Sequence, residues 1–139
     1  MIKVNIEINC KSWYKKIKNP KKHLNNKLKK ILNCLKFFKK KNITFTILLT
    51  NSLNMKKLNK KFRNFNKPTD VLSFPSFTKK KLNLIKEKKI YIGDIAISFE
   101  IINFRARQKN FDIEFDKVWV HGLLHLLGYN HIKNKDYYK

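Results

Sequence analysis

The stretch HGLLHLLGYNH, residues 121–131, places His121, His125 and His131 within eleven positions of a chain that holds only four histidines. Two of the chain's three glycines, Gly122 and Gly128, fall in the same stretch. On a helix, positions 121 and 125 lie one turn apart on one face, the spacing by which a helix presents two imidazole nitrogens to a zinc ion. Gly128 follows, and glycine takes the left-handed backbone that ends a helix and reverses the chain. The reversed chain is expected to carry His131 back toward the first two. Three protein ligands leave a fourth tetrahedral position open, the mark of a catalytic rather than a structural zinc site. The spacing HxxxHxxGxxH also belongs to metalloproteases, which place a glutamate general base directly after the first histidine. Gly122 stands there instead, so that mechanism lacks its base. A mid-helix glycine costs about 0.5–1 kcal/mol against alanine, and the expected return is room for a substrate to approach the metal over bare backbone. The fourth histidine, His23, sits among lysines and is expected at the surface.

The histidine helix is the last element of an α/β order. IKVNIEI (2–8) alternates as a strand does. Residues 9–19 are polar and aromatic, and are expected to be irregular. Pro20 opens a helix to about Phe38, with Leu24, Leu28, Ile31, Leu32, Leu35 and Phe38 on one face and lysines on the other. ITFTILLT (43–50) is a β-branched strand whose end is expected to be buried on both faces. Asn51 or Ser52 caps a short helix ending near Phe62 or Arg63. Pro68 marks KPTD (67–70) as a loop. Residues 71–74 form a short strand closed by Pro75, and basic residues 76–89 an exposed connection. IYIGDIAIS (90–98) is the next strand, 99–108 a helix, and Asn110 or Asp112 starts the long helix that carries His121 and His125, with acidic residues in its first turn. A strand, a crossover helix and a strand favour a parallel pair. The expectation is one domain over residues 1–139, a small mixed sheet packed with helices.

Composition narrows the chemistry. The chain has 139 residues, 42% of them apolar, enough for a core. Cys10 and Cys34 form no CxxC pair, MIKVNIEIN is no secretory leader, and no apolar run reaches the ~20 residues that cross a bilayer. Both cysteines are therefore read as reduced core residues of a cytoplasmic protein, with no membrane partner. Thirty-three basic residues against nine acidic ones give a net charge of +24, which calls for a polyanion such as RNA or DNA. A bias toward Lys, Asn, Ile and Phe, as an AT-rich genome imposes, accounts for part of that charge. The same bias makes arginine informative. Only Arg63, Arg105 and Arg107 occur, and an arginine retained where lysine is the default suits a site that needs a planar, bidentate fork.

HGLLHLLGYNH closely resembles the HGxLHLxGYDH signature of the YbeY family, the bacterial rRNA-maturation endoribonucleases. RNFNKPTDVLSFP (63–75) and IGDIAIS (92–98) agree with it in order and separation, and the resemblance is weakest before about residue 40. It implies an α/β fold with a four-stranded mixed sheet and about five helices, the metal site lying on the last long helix and the turn after it. It implies one Zn2+ held by His121, His125 and His131, and Arg63 as a functional arginine near the metal in an RNA groove. The implied substrate is single-stranded RNA, at the 3′ end of precursor 16S rRNA in the small ribosomal subunit, with a part in ribosome quality control. The implied partners extend to ribosomal proteins and the Era GTPase.

One position departs from the signature, with Asn130 where the family has aspartate before the third histidine. A carboxylate there could orient a ligand histidine, whereas asparagine brings no charge. A retained but weaker metal site is expected, and unchanged zinc affinity in Asn130→Asp would remove that idea. Asp70 and Asp94 are candidates for the same supporting role. Zinc brings the pKa of bound water toward ~7, so hydroxide could attack phosphorus or deprotonate a ribose 2′-hydroxyl, with Arg63 on the scissile phosphate. The lysine runs KKIKNPKK (15–22), KKK (39–41), KK (56–57, 60–61) and KKK (79–81) supply phosphate attraction of no sequence preference. Phe62, Phe65, Phe74 and Phe77 are candidates for base stacking. The rival readings are a non-catalytic rRNA-binding assembly factor with a structural metal, and a small metalloprotease.

Overall fold

The computed structural model describes residues 1–32 and 41–129. Cys34, and Leu35 and Phe38 of the expected helical face, lie outside the described residues, as do Asn130 and His131. The elements run β1 (Ile2–Ile8), α1 (Trp13–Lys16), α2 (Pro20–Leu32), β2 (Asn42–Thr50), α3 (Ser52–Arg63), β3 (Val71–Pro75), α4 (Lys79–Leu84), β4 (Lys89–Ser98), α5 (Phe99–Arg105) and α6 (Phe111–Leu126).

The four strands form one mixed sheet in the order β1-β2-β4-β3. β1 and β2 are parallel, as a strand–helix–strand unit requires, and β2 pairs in parallel with β4. β3 closes the edge antiparallel to β4. Alternation decides which residues go inside. Ile43, Phe45, Ile47 and Leu49 of β2 are all buried, on one face with Val4 and Ile95. Against that face pack α2, through Leu24 and Leu28, and α6, through Phe115, Trp119, Leu123 and Leu126. A smaller cluster, Met55 of α3 with Leu72 and Ala96, covers part of the opposite face.

Three expectations need correction. Residues 9–19 contain the helical turn α1, and Trp13 is fully buried, because Phe99, Phe111 and Phe115 surround its ring and its indole N–H donates to the Thr50 carbonyl at 2.9 Å. The connection 76–89 contains α4, capped by Thr78, whose side chain accepts from the Lys81 N–H, and anchored by buried Leu82. His23 is not a free surface group. Its Nε2 lies 2.7 Å from Asp116 Oδ1 of α6, and its ring lies against Phe115. α1 and α4 bring the helices among the described residues to six.

Candidate active site

α6 begins at Asn110, whose side chain accepts from the Ile113 N–H, and Asp112 and Glu114 in its first turn suit the positive end of the helix. Three to four turns on, the helix presents His121 and His125 together. Their ring centroids are 5.1 Å apart, tilted by 41°. Both rings are half-buried and open onto one cavity of about 670 Å³. Another wall is the motif segment, through Thr69, Asp70, Val71, Leu72, Ser73 and Pro75, and Arg63 and Arg105 line the same cavity. The Ser73 hydroxyl donates to the Gly122 carbonyl at 3.2 Å, which ties β3 to the histidine helix.

The segment leading to that wall is held from behind. α3 ends where Asn64 takes the left-handed backbone at φ 60°, with its N–H on the Lys60 carbonyl. Asn59, buried on α3, donates its amide to the Lys67 carbonyl at 2.9 Å and pins the loop between Arg63 and the motif. Nothing in the sequence marks Asn59 for this role, since a polar residue in a lysine-rich helix reads as surface.

The electrostatics of the cavity reduce to pairs. Arg105 Nη1 donates to Asp70 Oδ2 at 2.6 Å, and Asp70 Oδ1 accepts from the Val71 N–H at 2.8 Å. Lys117 lies 3.4 Å from Glu114. Arg63 is the remaining cation of the lining. Its guanidinium lies 5.5 Å from the Phe65 ring centroid, and among the described residues no carboxylate pairs with it. Two of the three arginines thus line the same cavity as His121 and His125, whereas Arg107 lies over Phe104 at 4.0 Å. The scarcity of arginine was the signal for Arg105, which the motif alone did not pick out.

Gly122 serves a different end from the one expected. It is buried against the sheet, where a Cβ would come within 2.9 Å of Ile95 Cγ2. Its lack of a side chain lets α6 sit close on β4, and it opens no path to the histidines. A glutamate at this position would be driven into the sheet, which removes the protease reading on geometry as well as chemistry. Gly128 takes the positive φ expected of it, +94°, while His131, expected to return with the turn, lies outside the described residues. The glycine Cα packs so near Lys79 of α4 that a Cβ would meet the Lys79 Cβ at 2.3 Å.

The supporting carboxylates separate. Asp70 belongs to the cavity. Asp94 lies across the sheet, in a second cavity with Tyr91, Thr46 and Glu7, away from His121 and His125. The Tyr91 hydroxyl donates to Asp94 and bonds Thr46. Burial first, then the hydrogen bond to Asp94, raises the Tyr91 hydroxyl above the ordinary tyrosine range. The aromatics divide likewise. Phe62 packs edge-on against Phe74 at 5.1 Å beside that cavity, Phe65 lies against Arg63, and of the four only Phe77 lines a cavity that reaches His125.

Two imidazole nitrogens one helical turn apart on a common cavity suit the donor chemistry of zinc. Among the described residues no three His, Cys, Asp or Glu side chains gather into a metal cluster, and the third histidine of the spacing, His131, lies beyond them. No helix among the described residues is long and apolar enough to cross a membrane, and Cys10 is a free, partly buried thiol.

Comparison with known proteins gives the family. The profile of endoribonuclease YbeY matches residues 7–139. The chain is similar to endoribonuclease YbeY of Pelagibacter ubique, 51% identical over 144 aligned positions that cover all of this chain and 89% of that one. It is similar to endoribonuclease YbeY of Ehrlichia ruminantium, 40% identical with 92% and 78% covered. A Thermotoga maritima protein solved in solution superposes with a TM-score of 0.54 at 27% identity, covering 94% of this chain and 75% of that one. With its histidine helix, its motif wall and its four-stranded mixed sheet, the chain belongs to the YbeY endoribonuclease family.

Proposed function

We propose that this protein is a zinc-dependent endoribonuclease that cleaves single-stranded RNA, and that its substrate is the 3′ region of precursor 16S rRNA on the small ribosomal subunit. The observation that carries the reading is the cavity itself. Arg63 stands in it without a carboxylate partner among the described residues, beside His121 and His125. A pair-free guanidinium in a half-enclosed cavity is a phosphate ligand in waiting, since its fork binds two phosphoryl oxygens at once.

His121, His125 and His131 would hold the zinc ion. When bound, it supplies Lewis acidity and brings the pKa of a coordinated water toward ~7, which answers the lack of a protein carboxylate next to His121. Arg63 binds the scissile phosphate and offsets the charge that develops on its oxygens. Asp70 holds Arg105 in an ion pair. Ser73 fixes the distance between the motif wall and α6 through Gly122. The charge of +24 draws RNA to the surface without sequence preference. The family supports a cytoplasmic role in ribosome maturation and quality control, with ribosomal proteins and the Era GTPase as candidate partners. Asn130 in place of the signature aspartate is read as weakening the zinc site without abolishing it.

The test is cleavage of a labelled single-stranded RNA ending in the 3′ precursor sequence of 16S rRNA, at moderate salt. Zinc-loaded protein is compared with His125→Ala. Cleavage by the first and its loss in the second ties the activity to the histidine helix. Equal cleavage by both would place the activity elsewhere. RNA binding by both with cleavage by neither, on free RNA and on small subunits alike, would favour a non-catalytic assembly factor.

A further inference from the structure

His125 borders two cavities. The first is the one shared with Arg63. The second, of about 600 Å³, lies toward α4 and is lined by Phe77, Lys79, Lys81, Gly128 and Tyr129. Its construction follows from features already described. Gly128 at φ +94° lets the end of the histidine helix press onto Lys79, so the turn that terminates α6 also carries Tyr129 against α4. Lys79 Nζ then lies 4.8 Å above the Tyr129 ring, and Tyr129 and both lysines remain exposed. Of the lysine runs in the sequence, 79–81 supplies two members to a cavity that borders one of the paired histidines.

Resting on the nuclease reading, we propose that this second cavity is a nucleotide subsite, which binds one unpaired base and its phosphate next to the cleavage site. Tyr129 is the stacking platform. In the free chain an ammonium occupies its face, a weak contact at an exposed position. A nucleobase stacks on an exposed aromatic ring more strongly and irrespective of sequence. The incoming base therefore displaces Lys79 from the ring, and the released ammonium joins Lys81 on the nucleotide's phosphate. A single RNA strand thus crosses His125, held by Arg63 on one side and by Tyr129 with the two lysines on the other.

The experiment measures Kd by fluorescence anisotropy, with a chelator present so that cleavage is not required. The probes are single-stranded RNA oligonucleotides carrying one abasic residue, moved a position at a time. The full chain is compared with Tyr129→Ala, Tyr129→Phe and Tyr129→Trp. One abasic position should weaken wild-type binding about tenfold. Tyr129→Ala should weaken the intact oligonucleotide by about the same factor and be insensitive to that abasic position, whereas Tyr129→Phe and Tyr129→Trp keep wild-type affinity. Lys79→Gln and Lys81→Gln should each make the slope of log K against log salt shallower by about 0.7, the value of one phosphate contact on a single strand. Multiplying losses in Tyr129→Ala, or no abasic position that matters, would overturn the subsite. So would salt slopes unchanged in both lysine variants. Separately, wild-type protein loaded with zinc is assayed for cleavage, so a subsite that fails while cleavage stands is distinguished from a nuclease reading that fails.

Discussion

On one face of the sheet, β3 and α6 enclose a cavity whose carboxylates are committed to cations, Asp70 to Arg105 and Glu114 to Lys117, which leaves Arg63 over beside two histidines. On the other face, the cavity around Asp94 also holds Glu7, near a tyrosine and a threonine, with neither arginine nor histidine in its lining. The two cavities differ little in size, about 670 and 570 Å³. They differ in the charge their linings present. Among the described residues the first offers a cation and imidazole nitrogens, which suits a phosphodiester and a metal. The second offers carboxylate oxygens and a hydroxyl, which repel a phosphate. In a chain of net charge +24, lysines make phosphate attraction general, and it is pairing within a cavity that makes it local.

The sharpest way to break this contrast is at Arg63. Arg63→Lys retains the charge and removes the fork. RNA affinity should stay within a few-fold of wild type, while kcat falls about 10²–10³-fold, the usual cost of one donor to a developing oxyanion. Equal loss of binding and cleavage would reduce Arg63 to one more lysine-like contact. A smaller effect, of another kind, is expected at Gly122. The Cβ of Gly122→Ala meets Ile95 at 2.9 Å, so α6 must lift from β4 or Ile95 must move. Overpacking of this kind costs about 1–3 kcal/mol, read as a lowered midpoint of chemical denaturation. Ile95→Val in the same chain should recover part of it, because it removes the Cδ1 that lies 3.1 Å from the added carbon. No recovery would place the strain at the Cγ2 contact, which valine keeps.

What could be read ahead of the structure follows the range of the forces involved. Ile43, Phe45, Ile47 and Leu49 alternate within one strand, and His121 and His125 repeat within one helix, so local periodicity reveals both. Gly128 is legible for the same reason, because the constraint on its backbone is local. Trp13 is not. It sits in a polar stretch, and only Thr50, Phe99 and Phe115, each distant in sequence, make its burial favourable. His23 is flanked by lysines, yet its partner Asp116 stands 93 residues away. Asp70 and Asp94 read alike within their motifs, since which side of the sheet a strand residue faces depends on the pairing of β3 with β4. The motif names the segment, and the fold decides which of its side chains reach the histidines.

Asp70→Asn sharpens the contrast from the cavity side. It keeps an acceptor for the Val71 N–H but loses the charge that holds Arg105. Arg105 is half exposed, so the effect on stability should be small, ~0–1 kcal/mol. Cleavage should fall on the order of tenfold, less than the ~100-fold that a 1 Å misplacement costs, because Arg105 can then compete for the phosphate that Arg63 positions. An unchanged rate would show that Arg105 is a spectator.

The counterpart on the far face is Asp94→Asn, where the smallest effect is expected and the cleanest sign. Cleavage of free single-stranded RNA and zinc content should match wild type, since Asp94 lines neither cavity that borders His125. Tyr91 should report the change instead. Its hydroxyl is raised first by burial and then by its bond to Asp94, so removing the carboxylate charge should bring its titration down toward the ordinary tyrosine range, though not all the way. A phenol whose folded pKa lies above its unfolded value of ~10 stabilises the fold below that pH, and the contribution is lost as pH rises through the folded value. Wild type should therefore hold a small advantage over Asp94→Asn below about pH 10 and lose it in strongly alkaline solution. That advantage is measured as the difference in denaturation midpoints, with phenolate absorbance and Tyr91→Phe as reference. A Tyr91 titration that Asp94→Asn leaves in place would assign the whole shift to burial. A loss of cleavage in this variant would mean that the two faces of the sheet are coupled.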